Sequence, residues 1–282
     1  MKGPVAIIGA GLAGLTAARA LTAAGLSVTV YEKSRGIGGR LATRRTRGGL
    51  DFDHGAPGVS PGVAAFDAFL RDAAAAGDAA PWRDWITGAP GMSALPRSLA
   101  EGLDIRFETA VEAVTPLPGG WSVNGAAYPA VICTAPAPQT ARICGAIPAI
   151  ARVAATARMT PCWAIMAAWD CGPRQIASLA PPLADAWRMA DKPQRAPTPE
   201  RWVAHAGLDW TLTNLEWEKG AVAPELLAAL AASLGLAPGD AIHAAAHRWR
   251  YARVAEPVGR PCVAVGGIVA AGDWLLGPDA SD

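Results

Sequence analysis

A glycine turn of the form G-x-G-x-x-G, Gly9-Ala10-Gly11-Leu12-Ala13-Gly14, stands between the apolar run Val5–Ile8 and a helical stretch from Leu15 to about Ala24. A short, wholly apolar run suits a strand buried on both faces of a parallel sheet. Gly25 stops the helix as a C-cap glycine does, and Ser27 to Tyr31 reads as a second strand closed by Glu32. Strand, glycine turn, helix and strand in this order make a complete βαβ unit. Gly9 permits the tight turn, Gly11 lets a pyrophosphate approach the backbone, and Gly14 lets helix and strand pack closely. Leu12 and Ala13 of the turn are further cofactor-binding candidates, and the helix that follows presents N-terminal N–H groups and a partial positive charge to the phosphates. Glu32 lies 18 residues after Gly14, where its carboxylate can accept hydrogen bonds from an adenosine ribose and repel a 2′-phosphate. The unit therefore binds a dinucleotide other than NADP.

The next segment distinguishes FAD from NAD. Lys33-Ser34-Arg35-Gly36-Ile37-Gly38-Gly39-Arg40 is a second glycine-rich turn. Folded back over the first, it brings Lys33, Gly39 and Arg40 to the cofactor and lets Arg40 cap the pyrophosphate. An NAD-dependent Rossmann unit has no need of such a loop, and no second G-x-G-x-x-G follows to bind NAD(P)H, so the expected cofactor is FAD.

Composition narrows the remaining classes. With 25 basic and 24 acidic side chains the formal charge is +1, and no basic stripe points to nucleic acid or an anionic membrane. No apolar run reaches the roughly 20 residues of a membrane span. Cys133, Cys144, Cys162, Cys171 and Cys262 are scattered singly, which suits reduced, mostly buried thiols in a cytoplasmic protein. No signal-peptide profile precedes the first strand, and no ligand cluster marks a metal site. The expected partner is a small-molecule substrate, and no oligomeric state is specified. Of 11 tryptophans, eight follow residue 160, suggesting a flat, stackable surface in the second half.

The run Val5 to Arg40 looks like the glutathione-reductase-type flavoproteins, and its R-x-G-G-R loop like their amine-oxidase-like branch. Further segments are Phe52-Asp53-His54-Gly55-Ala56, Gly91-Met92-Ser93-Ala94-Leu95, Val131 to Gln139, His247-Arg248-Trp249-Arg250-Tyr251-Ala252-Arg253 and Gly272-Asp273-Trp274. In this order they resemble the renalase-like flavoproteins over nearly the whole chain. The resemblance implies an α/β Rossmann-type FAD-binding domain (1–57, 91–147 and 249–282). Interleaved with it is a substrate domain built on an antiparallel β-sheet (58–90 and 148–248). Alternation fits strands at Cys162 to Trp169 and Trp202 to Ala206, and Pro224 to Leu234 fits a helix capped by Gly235.

The same resemblance implies that Val111, in an expected strand Ala110–Val114, meets the adenine. It also implies that Asp273, after Gly272, hydrogen-bonds the ribityl or pyrophosphate region. The implied reaction is oxidation of misreduced dihydro-NAD(P) isomers by hydride transfer, with electrons passing to O2 to give H2O2. Such a donor needs little acid–base help, so the protein's task is orientation and electrostatics. His247 is the expected hydrogen-bond donor to substrate or flavin, and Trp274 the expected wall beside the isoalloxazine. Arg248, Arg250 and Arg253 can meet substrate phosphates, His54 is expected to be structural, and His205 and His243 have no assignment. Where relatives read G-A-Q-Y-F, this chain reads Gly55-Ala56-Pro57-Gly58-Val59, without the aromatic pocket residue. No helix is expected after Gly272-Asp273-Trp274, which leaves three expectations: a truncated chain, a disordered tail or weak flavin binding. The alternatives are a flavin amine oxidase and a degenerate flavin-binding protein without catalysis. Against the first, none of Lys2, Lys33, Lys192 and Lys219 lies in a segment expected to reach the flavin.

Overall fold

The computed structural model describes residues 3–277 and 279–280. Its first sheet has six strands, in the order Val263–Val265, Ile268–Ala270, Ala130–Cys133, Val5–Ile8, Val28–Tyr31 and Asp104–Arg106. All neighbours are parallel except the first pair, a hairpin. Val5–Ile8 is buried throughout and pairs on both sides, in register with Ala130–Cys133 and Val28–Tyr31. Helix Leu12–Ala23 crosses between the first two strands in sequence. A Cβ on Gly14 would sit 2.0 Å from the Gly9 carbonyl oxygen, so only glycine allows this helix its approach.

The second sheet is antiparallel, in the order Leu183–Arg188, Glu200–Ala206, Arg158–Trp169 and Ala241–Glu256. Its side chains alternate with the period of two that a strand imposes. Trp163, Ile165 and Ala167 pack on Leu226 and Leu230 of helix Lys219–Leu234. Met166 and Ala168, on the other face, meet Phe52 and Trp187. The architecture is therefore the expected Rossmann-type sheet with an antiparallel sheet beside it.

Several local expectations change. The helix expected from Pro224 begins at Lys219, with Pro224 inside it, and ends as expected at Gly235 (φ +64°). Ala110–Ala113 is not a strand, and pairing resumes at Val114. The backbone there is diverted into bonds from Glu108 N to Ser34 O and Thr109 N to Glu32 O, which lay it along the second strand's end. A short helix, Asp273–Leu276, occupies the place where none was expected. The late tryptophans are mostly core: Trp163, Trp169, Trp187 and Trp274 are fully buried. The thiols of Cys133, Cys144 and Cys162 are buried, while Cys171 is half-buried and Cys262 exposed.

A buried ionic cluster ties the hairpin Thr43–Arg45/Asp51–Asp53 to the antiparallel sheet. Asp53 ends strand Asp51–Asp53 and has no exposed surface. Its Oδ1 accepts from Thr43 Oγ1 (2.7 Å) and Met92 N (2.9 Å). Its Oδ2 accepts from Lys192 Nζ (3.0 Å) and Arg195 Nη2 (2.6 Å). Burial raises the carboxyl, but the two cations outweigh it and hold Asp53 below the usual carboxylate range. Lys192, pushed down to about 8 by burial against the pull of Asp53, also donates to Pro57 O at 2.7 Å. Removing the carboxylate strands two buried cations. Asp53→Ala is expected to lower stability by about 3–5 kcal/mol, read as the shift in a urea unfolding midpoint. Asp53→Asn, which retains the amide oxygen, should lose less.

Candidate active site

The two glycine loops pack backbone on backbone. Gly38 N donates to Ala10 O at 2.9 Å, Gly38 bridges Gly11, and a Cβ on Gly39 would come within 3.5 Å of the Gly11 Cα. Nothing lies within 4 Å of the point where a Gly11 Cβ would be. That open cradle at the head of the helix is what a pyrophosphate needs. Glu32 is buried at the end of its strand, with Oε2 accepting from Ala10 N (2.8 Å) and Oε1 from Ser34 N (2.7 Å). Both oxygens retain lone pairs for ribose hydroxyls. Arg40 Nη1 contacts Asp273 Oδ2 at 2.6 Å and Ala252 O at 3.3 Å. This joins the second glycine loop to the C-terminal turn and to the long strand Ala241–Glu256.

A continuous cleft of about 2330 Å³ runs from this cradle to the antiparallel sheet. Gly9, Gly11, Leu12, Ala13, Glu32, Lys33, Gly39, Arg40, Val111, Gly272 and Asp273 all line it. Gly14 does not, because its place is at the helix–strand contact. The open cradle and the donor set fit FAD: Gly11 and Gly39 would hold its pyrophosphate and Glu32 an adenosine ribose.

At the sheet end the structure gathers side chains from three distant segments. His247 and Trp249 are neighbours on one face, ring centroids 4.4 Å apart, and both meet His54, at 4.6 and 5.0 Å. The His54 carbonyl accepts from Trp249 Nε1 (2.8 Å) and His205 Nε2 (3.2 Å). That carbonyl can only accept, so His205 carries its proton on Nε2 and presents a bare Nδ1. The imidazoles are held neutral. Burial, followed by Arg44, takes His54 down to about 4. Burial likewise takes His205 to about 4, and burial with His54 takes His247 to about 3.

Trp274 corrects the sequence expectation. It is fully buried, in the same apolar cluster as Val131, Ile268 and Leu275, and does not line the cleft. Successive helical residues point about 100° apart, so Asp273 faces the cleft and Trp274 faces away. Arg248 and Arg250 contribute to the lining but pair with Glu216, and Arg248 stacks over Trp163. The aromatic residue missing at Gly58 also finds an explanation. A Cβ at Gly58 would meet Trp85 Cβ at 2.6 Å, and Trp85, Phe66 and Phe69 line the cleft instead. Lys192 does not line it, being enclosed by Asp53, Pro57 and the rings of Trp82 and Trp187. Among the described residues, no acidic, cysteine or histidine group could hold a metal ion, and no helix is long and apolar enough to cross a membrane.

Comparison with known proteins agrees with this geometry. Residues 7–72 match the NAD(P)-binding Rossmann-like domain, and residues 60–274 match the flavin containing amine oxidoreductase family. The chain belongs to that family, and is an FAD-dependent oxidoreductase. An oxidoreductase from Methanosarcina mazei is similar in structure (TM-score 0.64, 15% identity, 98% of this chain and 96% of the other). Cyclohexylamine oxidase from Brevibacterium oxydans is similar too (TM-score 0.65, 15% identity, 96% and 93%). So is an FAD dependent oxidoreductase from Pseudomonas aeruginosa (TM-score 0.57, 16% identity, 96% and 85%).

The neutral histidines carry a stability signature. His54 and His205 bind a proton near pH 4 when folded and near 6.5 when unfolded. Between these values the unfolded chain holds more protons, so their contribution is full above about 6.5 and is lost as pH falls toward 4. Lowering the pH from 7 to 5 should cost about 2 kcal/mol for each, and His205→Gln should flatten the urea-midpoint profile across that interval.

Proposed function

We propose that this protein oxidises dihydropyridine isomers of NAD(P)H, with O2 as the final acceptor. The observation that carries this reading is the charge at the sheet end of the cleft. Arg44 and Arg253 line it without an ion pair among the described residues and outnumber the one acidic side chain there, Asp185, while the nearby histidines stay neutral. Such a mouth attracts phosphate-bearing molecules and disfavours an ammonium. No lysine of the described chain lines this end, since Lys192 is engaged by Asp53 and Pro57. Amine oxidation remains the alternative, favoured by the family match over residues 60–274.

Held by Gly11, Glu32 and Gly39, FAD would supply the two-electron acceptor for the donor's hydride and the route by which those electrons, with protons from solvent, reach O2 as H2O2. The donor ring becomes aromatic as its C–H bond breaks, so no side chain has to remove a proton. The protein's own work is to orient the ring and exclude water. Trp249 and His54 offer flat faces, and His247, half-buried on the cleft, can hydrogen-bond in its neutral form.

Anaerobic addition of 2- and 6-dihydro-NADH to the FAD-loaded protein should bleach the flavin band, and air should restore it with H2O2. His247→Ala is expected to slow bleaching roughly tenfold or more. The wild-type rate should show no His247 limb between pH 5 and 9, because its folded value lies near 3. Bleaching by primary amines, with the isomers inert, would replace this reading with amine oxidation.

A further inference from the structure

An arginine without a counter-ion borders the imidazole cluster. Arg44 is the middle residue of strand Thr43–Arg45 and stands opposite Phe52, and opposed residues of an antiparallel pair project from the same face. The Phe52 ring stacks on His243, with centroids 5.3 Å apart, and His243 shares a face of its strand with His247. Arg44 thus lies beside the row that leads to His247, and both residues line the cleft. Its charge disfavours protonation of His54, His243 and His247 alike, which places it within electrostatic reach of all three rings.

Arg44 is exposed, and its guanidinium makes no hydrogen bond or ion pair among the described residues. The residues on either side of it are fixed. Thr43 Oγ1 donates to Asp53 Oδ1 (2.7 Å) and accepts from Ser93 N (3.1 Å), while Asp51, opposite Arg45, pairs with the buried Arg201. The other arginines at this end are placed differently: Arg248 and Arg250 pair with Glu216, and the charge of Arg253 acts on Cys162 and His205. The cofactor's pyrophosphate has a separate cradle at Gly11 and Gly39. A planar guanidinium on an anchored strand can take a phosphate through two parallel hydrogen bonds, and here it breaks no existing ion pair in doing so.

We propose that Arg44 is a specificity-determining residue of the substrate end, binding the 5′-phosphate of a nicotinamide nucleotide whose ring lies against His247. One ribose joins ring and phosphate in such a ligand, so it extends from the imidazole cluster to a cation at the cluster's border. This deepens the dihydropyridine reading and rests on it. It adds that the nucleotide phosphate is recognised together with the ring, and that a single exposed side chain carries the preference. Because the phosphate takes no part in hydride transfer, its binding energy is expected in affinity and not in the rate of the chemical step.

The test compares the 6-dihydro isomer of nicotinamide mononucleotide with that of nicotinamide riboside, which lacks the phosphate, as anaerobic donors to the FAD-loaded protein. Wild type is expected to bind the nucleotide about tenfold more tightly than the riboside, with similar limiting rates of flavin bleaching. Arg44→Gln should bring the two affinities to within about twofold, chiefly by weakening the nucleotide. Arg44→Lys, which keeps the charge without the fork, should fall between. Flavin content per chain, read beside each titration, should be unchanged in both variants because the side chain is exposed and unbonded. Equal wild-type affinities, or a tenfold gap that survives in Arg44→Gln, overturns the assignment while bleaching by either donor still upholds the reaction. Loss of FAD from Arg44→Gln with the gap intact also overturns it, because the arginine would then serve the cofactor's phosphates. If neither donor bleaches the wild-type flavin, the reaction fails and this phosphate site fails with it.

Discussion

The cleft depends on one buried carboxylate. Asp53 receives four hydrogen bonds, two from Thr43 and Met92 and two from cations in the connection between strands Leu183–Arg188 and Glu200–Ala206. With each oxygen doubly occupied, its charge is distributed over donors that cannot all be satisfied in any other arrangement. The next residues, His54 to Pro57, are thereby hung across the junction of the sheets. Their carbonyls take N–H groups from Trp249, His205 and Lys192, and Ala56 N donates to Arg40 O. One short loop thus connects the pyrophosphate arginine with the sheet face opposite the flavin position. A Cβ on Gly55 would collide with the Arg40 carbonyl at 2.1 Å, so the loop's closeness requires glycine there.

That connection has an electrostatic result. Among the described residues the buried cations Lys192 and Arg195 have only Asp53 as a carboxylate partner, and the charge of Arg44 acts on His54, His243 and His247. A surplus of positive charge behind and above a desolvated imidazole cluster disfavours adding another proton, so His54, His205 and His247 stay neutral through the physiological range. Neutral imidazoles orient a ligand without competing for its protons, which suits hydride transfer from a donor that becomes aromatic on oxidation. The same surplus would stabilise negative charge on a reduced flavin ring.

The cofactor end was legible in the sequence because its determinants are local. Gly9, Gly11, Gly14, Glu32, Gly39 and Arg40 fall within one supersecondary unit, and each answers a backbone or charge requirement set by its immediate neighbours. The substrate end was not. Asp185, His205, Cys162 and His247 come from three successive antiparallel pairings, and register across such a sheet is decided by bulges, as at Leu183/Asp185 and Thr160/Cys162. His205 had no signal, since a histidine in an alternating apolar strand shows only which face it occupies. Trp274 was misplaced for the opposite reason: the motif located the turn, but the helical step that separates its neighbours belongs to the short helix Asp273–Leu276.

The gap at Gly58 shows how such a site changes its lining while keeping its frame. Trp85 stands on the hairpin Ala79–Trp82/Trp85–Gly88, and its Cβ occupies the space a side chain at position 58 would need. The two positions exclude each other sterically, so an aromatic wall supplied from one cannot be supplied from the other. Moving the aromatic group from the loop to the hairpin leaves the His54 and Pro57 carbonyls, and therefore the Asp53 clasp, untouched. Recognition can vary at Trp85 because its side chain makes none of the Asp53 bonds, whereas Gly88 of the same hairpin accepts from Arg195 Nη2 at 2.8 Å and belongs to the frame.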